Sequence, residues 1–328
     1  MTVRHDWKLL EARPVRPGSS TIVCVANQKG GVAKTTTSVN LGAALALRGH
    51  EILIVDIDPQ ANATTGVGID HRSLETSSYD LLRGDATLEQ VTIRTQIDKL
   101  SIAPASLDLA GSEVELVGTM ARERKLGEAL AGMDGRYDMV FLDCPPSLGL
   151  LTVNALAAAH DLIVPVQCEY YALEGLGQLL GNAERVRRAL NPDLRVAGFL
   201  LTMYDARTKL SSQVADEVRS HFGDLVYRTV IPRSVRLSEA PSFGEPVVTL
   251  DQSSRGSIAY RLLAAEVEAR YNLAAAPPAP PPPPPADVAA GVATGSPGPS
   301  GRGYGTTTAE PEGLDSAWPR VEPWTVRS

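Results

Sequence analysis

The stretch Thr21-Ile22-Val23-Cys24-Val25-Ala26-Asn27-Gln28-Lys29-Gly30-Gly31-Val32-Ala33-Lys34-Thr35-Thr36-Thr37 decides the fold. Its first six residues are continuously apolar or β-branched, the mark of a strand buried on both faces. A glycine pair then breaks the strand, and a helical pattern begins at once over 36–48. A glycine loop between a strand and a helix lets backbone N–H groups close round phosphate oxygens. The helix N-terminus adds the positive end of its dipole. In such a loop Lys34 reaches the β- and γ-phosphates of a nucleotide, and the Thr35 hydroxyl binds Mg²⁺.

Working outward, short runs rich in Val, Ile and Leu recur at 52–56, 139–143, 162–166 and 196–201. Helical patterns at 112–133, 173–190 and 211–221 lie between or after them. Strands alternating with helices predict an α/β domain over 21–273, a mainly parallel sheet with helices on both faces. Ligands of such sheets bind beyond the carboxyl ends of the strands. The run at 52–56 ends in Asp56-Ile57-Asp58-Pro59-Gln60, and the run at 139–143 in Asp143-Cys144-Pro145-Pro146-Ser147. A carboxylate at a strand end beside a phosphate loop can hold Mg²⁺. One beside the terminal phosphate can orient an attacking water. Asp143 fits the first role.

Hydrophobic residues form 43% of the 328, enough to bury a core without disulfides or metals. The net charge of −7 excludes a polycation, so any nucleic-acid contact must come from a local basic face. Arg207, Lys209, Arg219, Arg228, Arg233 and Arg236 supply cations, with Asp216, Glu217 and Asp224 among them. Composition leaves open whether this is a solvated mixed face or a phosphate-contacting one. Cys24, Cys144 and Cys168 make no C-x-x-C pair, which argues against zinc or a thiolate-held cluster and for reduced thiols. No apolar run approaches the roughly 20 residues of a membrane helix. The first residues lack the apolar core of a signal peptide, so a cytoplasmic protein is expected. Composition also sets off residues 1–20 as a flexible leader. Residues 274–328, which include the proline run at 277–285, are set off as a disordered tail.

The loop departs from the usual G-x-x-x-x-G-K-[ST], since Gln28 and Ala33 stand where glycines are expected. It carries an added lysine, Lys29. The pattern K-G-G-x-x-K-T resembles the deviant Walker A ATPases, which include the ParA/Soj partition proteins, MinD and the nitrogenase iron protein. Within that group, residues 140–176, 201–208 and 231–242 resemble chromosomal ParA/Soj proteins, and the likeness runs over roughly 20–270. A membrane-binding C-terminal helix as in MinD, the iron protein's cysteine pattern and the C-terminal tyrosine cluster of related kinases have no counterpart here. Membrane attachment is therefore not expected.

The resemblance implies ATP and Mg²⁺ as ligands. It assigns Lys29, Gly30, Gly31, Val32, Ala33, Lys34, Thr35 and Thr36 to the nucleotide. Lys29 would reach across a dimer interface to the second subunit's ATP. Lys29, Lys34 and Asp58 would be catalytic, with Asp58 as the hydrolytic aspartate. Thr35, Asp58 and Asp143 would hold Mg²⁺, with Asp56 close to its shell. Met203 and Pro232 would pack near the adenine, and Arg207 and Arg236 would hold duplex DNA of any sequence. An ATP-dependent, nucleoid-associated homodimer is implied, with a ParB-type centromere-binding protein stimulating hydrolysis. The family mostly has glycine where Ala33 stands. If the backbone there is left-handed, alanine costs about 1 kcal/mol and slows hydrolysis. A competing reading follows from that substitution: an ATP-binding scaffold with weak hydrolysis that recruits a partner through its proline-rich tail.

Overall fold

The computed structural model describes residues 20–133, 135–169 and 172–273. The predicted leader, apart from Ser20, and the predicted tail lie outside the described residues. Seven strands form one sheet: β1 (Thr21–Val25), β2 (Ile52–Asp56), β3 (Ile93–Arg94), β4 (Leu100–Ala103), β5 (Met139–Asp143), β6 (Asp161–Gln167) and β7 (Arg195–Thr202). Their order is β3-β4-β2-β5-β1-β6-β7. Every neighbouring pair is parallel except β3 with β4. All five residues of β2 and of β5 are buried, as continuous apolar runs require when both faces are covered.

The helices, in chain order, are α1 (Lys34–Ala46), α2 (Asn62–Gly66), α3 (Ser78–Arg83), α4 (Leu88–Val91), α5 (Leu109–Glu115) and α6 (Lys125–Leu130). Then come α7 (Leu150–Ala158), α8 (Ala172–Ala189), α9 (Lys209–Phe222), α10 (Val235–Glu239), α11 (Val247–Leu250) and α12 (Arg255–Tyr271). They cover both faces. On one, Leu41 and Leu45 of α1 and Tyr260 and Leu263 of α12 pack with Val23, Ile54 and Phe141. On the other, Leu81 of α3, Leu126 of α6, Leu156 of α7 and Leu179 of α8 pack with Leu53, Leu142 and Val164. Two polar contacts tie α1 and the turn that follows it to α12. The Thr37 hydroxyl meets the Tyr260 hydroxyl at 3.2 Å, and Arg48 Nε donates to Glu268 at 2.7 Å.

Register is what builds the functional end of the sheet. Val25 of β1 and Asp56 of β2 both lie opposite Asp143 of β5. The loop after β1 and the two strand-end carboxylates are thereby set side by side.

Two expectations need correction. The pattern at 112–133 is not one helix. α5 ends at Glu115, single 3₁₀ turns follow at Leu116–Gly118 and Arg122–Arg124, and α6 starts only at Lys125. Gly118 and Thr119 are poor helix formers, and Ala121 turns left-handed with φ 53°. The strands β3 and β4 were not anticipated. β4 reads Leu-Ser-Ile-Ala, four residues with a serine, yet all four are buried between β2 and β3. Among the described residues no helix is long and apolar enough to cross a membrane, and no cluster of three or more His, Cys, Asp or Glu is arranged to hold a metal. The three cysteines are buried free thiols. Contact with the Cys24 thiol and burial push the Cys144 thiol up, and burial pushes Cys168 up to about 11, so both stay protonated and unreactive.

Edge strand β7 is covered by a close approach at Gly198. A Cβ there would lie 2.6 Å from the Tyr227 ring and 2.8 Å from the Leu225 carbonyl oxygen. Arg270 lies 4.0 Å from the centroid of that ring and donates to the Ala197 carbonyl at 3.1 Å. Gly198→Ala is expected to destabilise the fold by about 1–3 kcal/mol through this overlap. A urea titration showing an unchanged midpoint would contradict it.

Candidate functional site

The loop from Asn27 to Ala33 is fixed from several sides. Asn27 Nδ2 donates to the Pro165 carbonyl of β6 at 2.7 Å, and its Oδ1 accepts from the Lys29 N–H at 3.1 Å. The Thr202 hydroxyl, at the end of β7, donates to the Val32 carbonyl at 3.1 Å. Gly31 and Ala33 both turn left-handed, with φ 72° and 69°. Ala33 is the residue that caps α1, and it offers no side-chain acceptor to the first helical turn. Backbone donors at that end are left for an anion.

Lys34 opens α1 and is 7% exposed. Its Nζ donates to the Lys29 carbonyl at 3.4 Å. Burial pushes its pKa down, and Asp143 in particular pushes it back up. Asp143 is fully buried. Its Oδ1 accepts the Ser38 hydroxyl at 2.8 Å, while Oδ2 has no partner of hydrogen-bond geometry. Burial raises its pKa, and the Ser38 and Thr35 hydroxyls oppose that shift.

Asp58 is 5% exposed, and its Oδ1 accepts from the Gln60 N–H at 3.0 Å. Asp56, opposite Asp143, has both carboxylate oxygens engaged by protein donors. Its Oδ1 accepts from the Asp58 N–H at 3.1 Å. Its Oδ2 accepts from the Thr64 N–H at 2.9 Å and hydroxyl at 2.7 Å. Burial and the neighbouring Asp143 raise its pKa. The carboxyl of Asp56 thus organises the turn that carries Asp58, whereas Asp143 keeps one oxygen unspent.

Met203 and Pro232, remote from the loop in sequence, line one cavity of about 280 Å³ with Ala33, Thr36 and Leu237. Met203 is itself left-handed, with φ 50°, and Tyr204 bridges to Pro232. The two arginines lie on the surface. Arg207, 87% exposed, pairs with Asp205 at 2.7 Å. Arg236 on α10 pairs with Glu239 at 3.3 Å and Asp251 at 3.4 Å. Both are thus neutralised within the chain.

Sequence reasoning missed Ser38, Thr64, Thr202 and Glu169 as supports of this site. Ser38 carried a readable signal, since it lies four residues after Lys34 and shares its helix face. The others sit on different elements and have no local mark. Glu169 lies just past β6, 3.8 Å from Lys29 Nζ and 3.9 Å from Arg233 Nη1.

The chain has counterparts among known proteins. A family model for an AAA domain matches residues 20–196. The sporulation initiation inhibitor protein Soj of Bacillus subtilis is 54% identical over 248 residues, which cover 76% of this chain and 98% of Soj. The chain belongs to the ParA/Soj family of chromosome-partitioning ATPases. ParA of Caulobacter vibrioides is 51% identical over 263 residues, covering 80% of this ParA/Soj-family chain and 97% of that one. Among solved structures, a Mycobacterium smegmatis protein described as cobyrinic acid a,c-diamide synthase, with bound ADP and magnesium, is 41% identical. It covers 77% of this chain and 96% of its own, with a TM-score of 0.68.

The left-handed Ala33 has a measurable consequence. Ala33→Gly relieves about 1 kcal/mol of backbone strain, partly offset by the greater freedom of glycine in the unfolded chain. Its chemical-denaturation midpoint is expected to match or exceed the wild type's. Ala33→Val, β-branched at the same φ, is expected to destabilise by about 1–2 kcal/mol. A valine variant as stable as wild type would contradict the left-handed conformation.

Proposed function

We propose that this ParA/Soj-family chain is an ATP-dependent, dimerising ATPase that binds duplex DNA without sequence preference and partitions DNA with a ParB-type centromere-binding partner. The observation that carries the nucleotide half is the unpartnered, buried Oδ2 of Asp143 beside the loop of Lys34 and Thr35. An anion-accepting loop next to a carboxylate oxygen without a hydrogen bond fits a phosphate chain together with a divalent cation.

In this reading the backbone of Gly30, Gly31, Val32 and Ala33 wraps the phosphates, with Thr36 beside them. Lys34 meets the β- and γ-phosphates. Thr35 and Asp143, with Asp58, would hold Mg²⁺, which when bound supplies neutralisation of charge on the phosphate oxygens. Asp58, fixed in its turn by Gln60 and Asp56, orients the attacking water. The base occupies the cavity of Met203 and Pro232. Lys29, 41% exposed at the rim, completes the site of a second subunit.

The DNA half rests on Arg207 and Arg236, whose exposure suits contact with phosphates and whose acidic neighbours must be displaced to make it. Nucleoid association in the cytoplasm follows from that contact. One observation favours a slower variant of the same enzyme. Ala33 holds φ 69° without glycine's freedom, so a methyl group stands at a left-handed position of the loop. This suits a positioning protein with weak hydrolysis; the tail that reading invokes lies outside the described residues.

Co-sedimentation with duplex DNA and DNA-stimulated ATP turnover test the proposal. Wild type is expected to bind DNA only with ATP. The Arg207→Ala/Arg236→Ala double variant is expected to keep nucleotide binding and lose DNA. At partial binding its log–log salt slope should fall by about 0.9 per lost phosphate contact. Wild type that ignores DNA at low salt would remove the DNA half of the reading. Turnover that rises in Ala33→Gly would favour the weak-hydrolysis reading.

A further inference from the structure

We propose that Glu169 is a positioning residue that holds Lys29 on its own subunit, so that the loop lysine must leave an internal carboxylate before it can serve a second subunit. The proposal rests on the nucleotide-dependent pairing proposed above and adds a means of regulating it.

The geometry is that of one carboxylate shared by two cations. Glu169 Oε2 lies 3.8 Å from Lys29 Nζ, and Oε1 lies 3.9 Å from Arg233 Nη1. Lys29 belongs to the phosphate loop, while Arg233 lines the cavity of Met203 and Pro232. Glu169 therefore stands between the two parts of the site. Its backbone is anchored: its own N–H donates to the Gln167 carbonyl at 2.8 Å, and the Ser211 hydroxyl donates to the Cys168 carbonyl at 3.1 Å. The Lys29 backbone is anchored as well, through Asn27 to Pro165 on β6. Only the two side chains are free to move apart, and both are about half exposed, at 41% and 45%. Two anchored backbones joined by a loose ion pair make a contact that opens without disturbing the fold.

Two forces then compete for the same cations. A polyphosphate in the loop offers more negative charge than one carboxylate and draws Lys29 and Arg233 from Glu169. With the Glu169 charge removed by substitution, the two cations lose their shared partner, and Lys29 is already released. An exposed pair of this kind shifts an equilibrium only modestly, by about two- to fivefold, and salt screens it.

The test compares wild type with Glu169→Gln, which keeps shape and removes charge. Dimer formation is followed by analytical ultracentrifugation against a non-hydrolysable ATP analogue with Mg²⁺, at 50 and 500 mM NaCl. Binding of a fluorescent ADP confirms that the pocket is intact. The expected result at low salt is a half-maximal analogue concentration about two- to fivefold below wild type, with the two curves converging at high salt. A purely structural role would give no salt-dependent gain. An unchanged or raised half-maximal concentration in Glu169→Gln at low salt overturns the proposal. A wild-type chain that stays monomeric in the analogue overturns the pairing reading itself, and this proposal with it.

Discussion

Three parallel strands, β1, β2 and β5, end in register, and that alignment brings two buried carboxylates beside one buried lysine. Removing each such charge from water costs on the order of several kcal/mol unless partners compensate. Lys34, Ser38 and Thr64 supply part of that compensation. The remainder is left open at one oxygen of Asp143. The pocket is accordingly a place where the fold keeps an electrostatic demand unmet, one that the proposed cation and phosphate chain would meet. The helices on both faces serve this arrangement by keeping water from the sheet.

The division of labour between Asp56 and Asp143 follows from the same constraint. The two lie opposite each other across β2 and β5, so each raises the cost of ionising the other. Asp56 resolves the conflict with three donors from its own turn and Thr64. Those bonds shape the segment that places Asp58. Asp143 has a single strong donor and stays available. A residue two positions from Asp58 is thus a scaffold for it, although residue type alone gives both aspartates the same standing.

Rigidity and looseness are distributed to match. The loop backbone is pinned by Asn27, Thr202 and Thr37, all reaching from or to elements of the buried core. The cations at its rim, Lys29 and Arg233, make exposed contacts to Glu169. Arg207 and Arg236 are likewise held by surface carboxylates. A fixed floor with releasable charges around it suits the nucleotide-set switching proposed above.

The amino-acid sequence by itself determined the strands β1, β2, β5, β6 and β7. Each contains a run rich in Val, Ile and Leu, and that burial is encoded locally. It also determined the phosphate loop, because Gly30, Gly31, Lys34 and Thr35 are contiguous and their chemistry depends on spacing alone. Only the tertiary structure decided the break within 112–133, where short helical preferences lose to Gly118, Thr119 and a left-handed Ala121. It alone revealed β4, whose four residues owe their burial to neighbours far away in the chain. It also decided which aspartate keeps a free oxygen, that Met203 and Pro232 share a cavity with Ala33, and that Glu169 faces both Lys29 and Arg233. These last arrangements depend on the register and packing of remote segments, and no local pattern encodes a distance between them.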